Sequence, residues 1–180
     1  MITNELVAHH ATLRQLYAQS ENDPNAFEEF TRHLIVHHTM EEKYFYDILK
    51  MIPDAEHDSL EAVNEHHIIE LIIKDAEGFP REHEHNPIKI EGLGEYTTHH
   101  LDEEEMDIFP LAQQVISAGD LDKLGKLFVE AKNLLLGINL PDVPGGIATQ
   151  AAKSLPGSQP AVSGRGTTTA YGLGIGSLKA

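Results

Sequence analysis

Twice in this chain a histidine precedes a glutamate by four residues and runs into an apolar and aromatic stretch. The first pair is His37 and Glu41, ahead of Phe45-Tyr46; the second is His100 and Glu104, ahead of Ile108-Phe109-Pro110. On an α-helix, residues i and i+4 lie one above the other, so each pair can grip one metal ion. Spacing alone arises by chance in an acidic helical protein, and the place of the pairs in the apolar stripe is more telling. Around the first, the inward positions read Phe27, Phe30, Leu34, His37, Glu41, Phe45, Ile48, Ile52. Around the second they read Ile90, Leu93, Thr97, His100, Glu104, Ile108, Leu111, Val115. In both stripes the histidine and glutamate stand where a helix packed on a core is apolar. A carboxylate there is costly unless it is paired, protonated or metal-bound.

The pattern repeats elsewhere. A shift of 56 residues lays Leu6, Val7, His10, Leu13, Leu16 over Ala62, Val63, His66, Ile69, Ile72, which puts one inward histidine on each of two further helical segments. A shift of 57 superposes the two His-His doublets but sets Leu13 against Glu70, so the periodicity selects His10 and His66 over His9 and His67. The chain then reads His, HxxxE, His, HxxxE, one element per helix, as an internal duplication does. A lone histidine on an apolar face is commonly a hydrogen-bonded core residue. Four of them joined to two buried carboxylates exceed what one tetrahedral zinc uses, and a dinuclear site is the economical reading. Mixed nitrogen and oxygen donors suit iron or manganese and also accept zinc.

This motif set resembles the hemerythrin-like family, also called the HHE cation-binding domain, over residues 1–137. The resemblance implies an all-α fold: an antiparallel up-down-up-down four-helix bundle around a non-haem di-iron centre. Carried over residue by residue, it implies as metal ligands His10, His37, Glu41, His66, His100 and Glu104, the glutamates bridging two Fe ions in an oxo- or carboxylate-bridged centre, ahead of Mn or Zn. The sequence departs from the oxygen-carrying members where those have a second histidine on the third helix. Here that position is Glu70, an alternative seventh ligand, and the fourth helix carries HxxxE in place of a shorter aspartate motif. Six ligands shared by two ions leave open positions, so the expected partner is a small diatomic or peroxide ligand: O2, peroxide or nitric oxide. The expected function is binding or sensing that oxidant. The alternatives are a di-iron enzyme that disproportionates peroxide or oxidises a small substrate, and an iron-sulfur repair or iron-handling protein. Family members of the repair type carry an additional cysteine-bearing domain.

Composition narrows the classes further. With 180 residues, 41% of them hydrophobic, the chain can bury one sizeable core,. It has no cysteine, so disulfides, iron-sulfur clusters and thiolate ligation are excluded. The formal charge is −16, and residues 145–180 contain Lys153, Arg165 and Lys179 with no acid, leaving −19 on the first 144. An anionic surface of that kind repels nucleic acid and anionic membranes, so neither is expected as a partner. There is no basic-then-apolar leader and no run of eighteen apolar residues, and a cytoplasmic location is the default. No nucleophile triad, phosphate loop or dinucleotide fingerprint is present. The residues leave the oligomeric state open.

The elements that must position the site can be placed from capping signals. The first helix is expected over 3–20, the second from Asp23-Pro24 to residue 51 before Pro53, and the third from 54 or 55 to 77, with Gly78 just after it. Asn86-Pro87 repeats the start signal for a fourth helix reaching residue 108, where Pro110 ends or kinks it. A short fifth helix over 121–136, capped by Asp120, packs back on the bundle. The short connections suit antiparallel neighbours. Beyond it, the Gly-, Ser-, Thr- and Ala-rich residues 138–180 read as a flexible tail.

Neighbouring residues have assigned places too. His9, His38, His67 and His99 lie one step off the stripe and are expected to be partly exposed, with hydrogen bonds to ligands open to any of them. His33, one turn before His37, reads as a surface residue, and His57, His83 and His85 as solvent-facing. Glu42 and Glu105 face outward or fix a neighbouring ligand. Tyr17, Tyr44 and Tyr96 read as packing residues, one of which could donate a hydrogen bond near the ions.

Overall fold

Asp23, in extended conformation, accepts a hydrogen bond from the Asn25 amide at 2.9 Å, and Pro24 occupies the first turn that follows,. This cap-then-proline start opens one of the helices of the chain in its computed structural model, of which residues 1–20 and 23–137 are described. The described residues form helices and no strands: α1 (Ile2–Ser20), α2 (Pro24–Glu41), α3 (Asp47–Leu49), α4 (Glu56–Gly78), α5 (Asn86–Glu103), α6 (Phe109–Val115) and α7 (Ala118–Leu135). The described residues are therefore all-α, as expected. Residues 138–180, read from the sequence as a flexible tail, lie outside the described residues.

Two π-helical turns interrupt what the sequence reads as continuous helices. Glu42–Tyr46 joins α2 to α3, and Glu104–Ile108 joins α5 to α6. A π turn holds more than one α turn's complement of residues and rotates the side chains that follow it. Ile48, expected inward, is consequently 37% exposed, while Leu49 is fully buried. In the second stripe Ala112 is fully buried, where Leu111 was expected to lead. Pro110 does not end its helix. It falls in the first turn of α6, right after the π turn, and the helix continues to Val115,.

Three caps also differ from expectation. Gly78 is the last helical residue and Phe79, extended, caps α4. Asn86 is the first residue of α5, with His85 at the cap and no side-chain bond there. α7 starts at Ala118 because the Ser117 hydroxyl accepts from the Asp120 amide at 3.2 Å,.

The helices pack through two apolar clusters. One includes Leu6, Phe45, Tyr46, Leu49, Phe109, Ala112, Leu121 and Phe128; the other includes Leu13, Phe30, Leu34, Ile69, Ile73, Leu93 and Leu101. In sequence, His10 falls between Leu6 and Leu13, and His66 between Ala62 and Ile69, so a polar layer is sandwiched by apolar ones. α7 approaches the N-terminus closely at Gly125, where a Cβ would stand 2.9 Å from the Ile2 backbone nitrogen. No helix among the described residues is long and apolar enough to cross a membrane.

Candidate metal centre

The polar layer is supplied by α1 (His10), α2 (His37, Glu41), α4 (His66), and α5 with the π turn after it (His100, Glu104). All six side chains are buried. They converge on their Nε2 and carboxylate atoms. His10 Nε2 lies 3.0 Å from His37 Nε2 and 3.3 Å from Glu104 Oε2. His37 Nε2 is 3.3 Å and His66 Nε2 3.6 Å from Glu41 Oε2, and His100 Nε2 is 3.3 Å from Glu104 Oε1. Two compact groups of possible ligands result, His10-His37-Glu41-Glu104 and Glu41-His66-His100-Glu104, each with its donor atoms within 4.8 Å of one another. Glu41 and Glu104 belong to both.

Whether these residues fit a metal is answered by the atoms left without partners. Both oxygens of Glu41, Oε2 of Glu104, and Nε2 of His66 and of His100 are buried with no hydrogen-bond partner. Each such group costs about 1–3 kcal/mol in a folded core. A cluster of them, all aimed at one another, is the donor set of a cation site.

The other face of each ring is held. His10 Nδ1 donates to Glu105 at 2.8 Å, His66 Nδ1 to Glu42 at 3.0 Å and His100 Nδ1 to Glu65 at 2.7 Å. A carboxylate acceptor fixes the proton on Nδ1 and leaves the Nε2 lone pair facing the centre. His37 Nδ1 meets His9 Nδ1 at 3.2 Å, and His9 Nε2 in turn meets His33 Nδ1 at 3.2 Å. Glu42 and Glu105 therefore fix neighbouring ligand candidates, one of the two places the sequence offered them. Arg14 steadies Glu105 at 2.7 Å and Asp102 at 2.6 Å.

Burial sets the charge states. It drives His37 well below the usual imidazole range, reinforced by His10 and His9, so the ring is neutral and able to ligate,. Burial and then Glu104 push the Glu41 carboxyl well above the usual range. For Glu104, burial works in the same direction, but His100, His10 and His66 outweigh it and hold the group well below that range. In the absence of an ion one carboxyl thus keeps a proton and the other is ionised, as two neighbouring carboxylates in a dry site must.

Several expectations are corrected. His9 and His38, expected to be partly exposed, are both buried. Burial followed by Lys132 pulls His9 down to about 2. His33 is not a plain surface residue, because it is partly buried against His9. His57, His67, His83, His85 and His99 are exposed, and Glu70, 39% exposed, lies 3.7 Å from Lys74 and outside both groups. The tyrosine that donates into the layer is Tyr46, not one of those anticipated: its hydroxyl donates to Glu104 Oε1 at 2.6 Å. The sequence signal for it was position alone, since Tyr46 comes five residues after Glu41 and only a π turn carries that spacing inward. Glu65 was also missed, one residue before His66 yet bonded to His100 across two helices.

The family model for the hemerythrin HHE cation-binding domain matches residues 1–112. No curated protein matches the chain, and no solved structure does. With more than half its length matched, the chain belongs to the hemerythrin HHE cation-binding domain family.

Proposed function

We propose that this hemerythrin HHE domain is a non-haem di-iron protein that binds or senses a small oxidant, O2, peroxide or nitric oxide. In this reading His10, His37, Glu41, His66, His100 and Glu104 would hold the two irons, with Glu41 and Glu104 common to both groups. The observation that carries it is the pair of overlapping four-residue groups sharing both glutamates, with the buried oxygens of Glu41 and the Nε2 atoms of His66 and His100 unpartnered. Two irons bound there would supply reversible coordination of small molecules and one-electron chemistry.

The chain's own residues supply the rest. Glu105, Glu42 and Glu65 hold three rings with Nε2 inward, which preorganises the donors,. Tyr46 donates to Glu104 Oε1 and holds that carboxylate in place. Phe109 and Phe128 pack on the rings of His10 and His37, and a layer buried in this way has no room for a large substrate. The proposed frame is an antiparallel four-helix bundle made of α1, α2 with α3, α4, and α5 with α6, with α7 as a fifth helix. It is supported by the descending order of partners along α1: Thr3 with Gln113, His10 with Glu105, Arg14 with Asp102. We propose residues 1–137 as the metal-binding domain, residues 138–180 as a separate tail, and the cytoplasm as its place of work.

The test is exposure of anaerobically Fe(II)-loaded protein to one equivalent of O2, nitric oxide or peroxide. A stoichiometric, reversible change in visible absorption supports binding or sensing. Steady consumption of excess peroxide would replace that reading with catalysis.

A further inference from the structure

His10, His66 and His100 each set Nδ1 against a glutamate, but His37 sets its own against another imidazole. His37 Nδ1 meets His9 Nδ1 at 3.2 Å, and His9 Nε2 meets His33 Nδ1 at 3.2 Å. This row of rings leads out of the layer. His37 and His9 are buried, the His33 side chain is 14% exposed, and its Nε2 stands 3.8 Å from Glu29 Oε2. Burial, then Arg32, lowers His33 below the ordinary imidazole range, and burial does the same to His9 and His37, so all three rings are neutral at neutral pH,. A neutral imidazole has one donor nitrogen and one acceptor. The proton position on any one ring therefore dictates those of the other two.

His10 fixes the sense of the row in the metal-free protein. Its Nδ1 donates to Glu105, which leaves Nε2 an acceptor, and Glu104 Oε2, 3.3 Å from that Nε2, has no hydrogen-bond partner. The 3.0 Å contact between His10 Nε2 and His37 Nε2 therefore needs a proton on His37 Nε2. His37 Nδ1 then accepts from His9 Nδ1–H, and His9 Nε2 accepts from His33 Nδ1–H. His37 thus turns an N–H, not a lone pair, toward the centre.

Resting on the di-iron reading, in which His37 is a ligand, we propose that His9 and His33 are positioning residues for His37: ligation through His37 Nε2 reverses the donor and acceptor sense of the whole row, out to His33. His37 then donates from Nδ1 to His9 Nδ1, and His9 donates from Nε2 to His33 Nδ1. His33 carries its proton on Nε2, toward Glu29, a carboxylate that Arg32 at 2.6 Å holds below the usual range and that can only accept,. Protons balance and no ring changes charge. One enters at His33 Nε2 from water, the Nδ1 proton of His33 passes to His9 Nε2, and the Nδ1 proton of His9 passes to His37 Nδ1. The proton displaced from His37 Nε2 leaves with the water that the entering ion sheds.

The experiment records 15N-histidine spectra, which tell protonated, bare and metal-bound ring nitrogens apart, on the wild type and His9→Phe, in chelator and after loading with Zn(II) alone. The expected result in the wild type is a His33 proton on Nδ1 in chelator and on Nε2 with Zn(II), although His33 belongs to neither ligand group. In His9→Phe, which keeps a ring in place but cuts the row, His33 should show one tautomer with and without Zn(II). A wild-type His33 that keeps its tautomer while ring nitrogens of His66 and His100 move to the metal-bound range would overturn the positioning role and leave the metal-site reading standing. A His33 that still switches in His9→Phe would overturn it as well. A wild type in which Zn(II) moves no ring nitrogen, and which takes up no Fe(II) in a chelator competition, would overturn the di-iron reading and the positioning role with it. Should His9→Phe fail to fold, the wild-type spectra decide the matter alone.

Discussion

Replacing Glu41 with leucine should stabilise the metal-free protein and remove the stabilisation that metal confers. Glu41 sits in the middle of α2's buried face with both carboxyl oxygens unpartnered. The Nε2 atoms of His37 at 3.3 Å and His66 at 3.6 Å make no hydrogen bond with it. Burial and Glu104 keep it a neutral acid, so the cost in the metal-free fold is that of two orphaned oxygens, about 2–6 kcal/mol at about 1–3 kcal/mol each. Leucine refills most of the volume with no polar atom to satisfy and a helix propensity at least as good. For a chain of this size about 1 kcal/mol moves Tm by about 2–4 °C, so even the lower bound gives a rise of about 4 °C. Iron reverses the order. Metal at about a hundred times its Kd adds about 2.7 kcal/mol to the wild type, and the variant, lacking a bridge, gains little. Calorimetric melts of both proteins, in chelator and after anaerobic Fe(II) loading, read all four values. A variant that melts below the wild type in chelator would refute the reasoning, because Glu41 would then be supporting the fold rather than burdening it.

Other perturbations probe the surroundings of the site. Tyr46→Phe deletes the 2.6 Å donation to Glu104 while keeping the ring, and iron affinity measured by chelator competition should fall about 10–100-fold with helical circular dichroism unchanged. Phe128→Ala empties a fully buried position against His9 and His37; urea unfolding should show a loss of about 3–5 kcal/mol, and a loss below about 1 kcal/mol would mean α7 does not seal the layer. The raised Glu41 carboxyl must give up its proton to bind a metal, and so must the His66 ring, which burial lowers but Glu104 and Glu42 hold above the usual imidazole range, whereas His37, already neutral, has none to lose. Apparent iron affinity should therefore rise with pH, about tenfold per unit for each proton displaced, until pH passes the raised values of both groups. Titration calorimetry in buffers of different ionisation enthalpy checks this by counting the protons released at neutral pH.

Much of this centre could be read before any coordinates existed, because buried charge breaks an apolar period visibly. His37, Glu41, His100 and Glu104 interrupt stripes that Leu34 and Leu93 otherwise define, and the 56-residue shift selected His10 and His66, both fully buried in the structure. Asp23-Pro24 announced its helix because capping is local chemistry. What escaped was set by non-local geometry. The π turns after Glu41 and from Glu104 insert residues that no 3.6-residue period anticipates, so Ile48 and Leu49 trade places and Tyr46 turns inward. His38 was expected at the margin because it stands one step, about 100°, off the stripe. α2 has neighbours on more than one side, His66 and His100 among them, and its buried face is wider than a stripe against a single partner,. Glu65 bonds a histidine on another helix, and only the packing of α4 against α5 brings the two together.

The most direct test of the account is metal content per chain in protein purified without chelator, read together with visible absorption before and after reduction and re-exposure to air. The account predicts two irons per chain and an absorption that bleaches on reduction and returns in air. A chain that holds no iron, even after anaerobic loading, would contradict it and leave the buried histidines and glutamates as a structural layer alone.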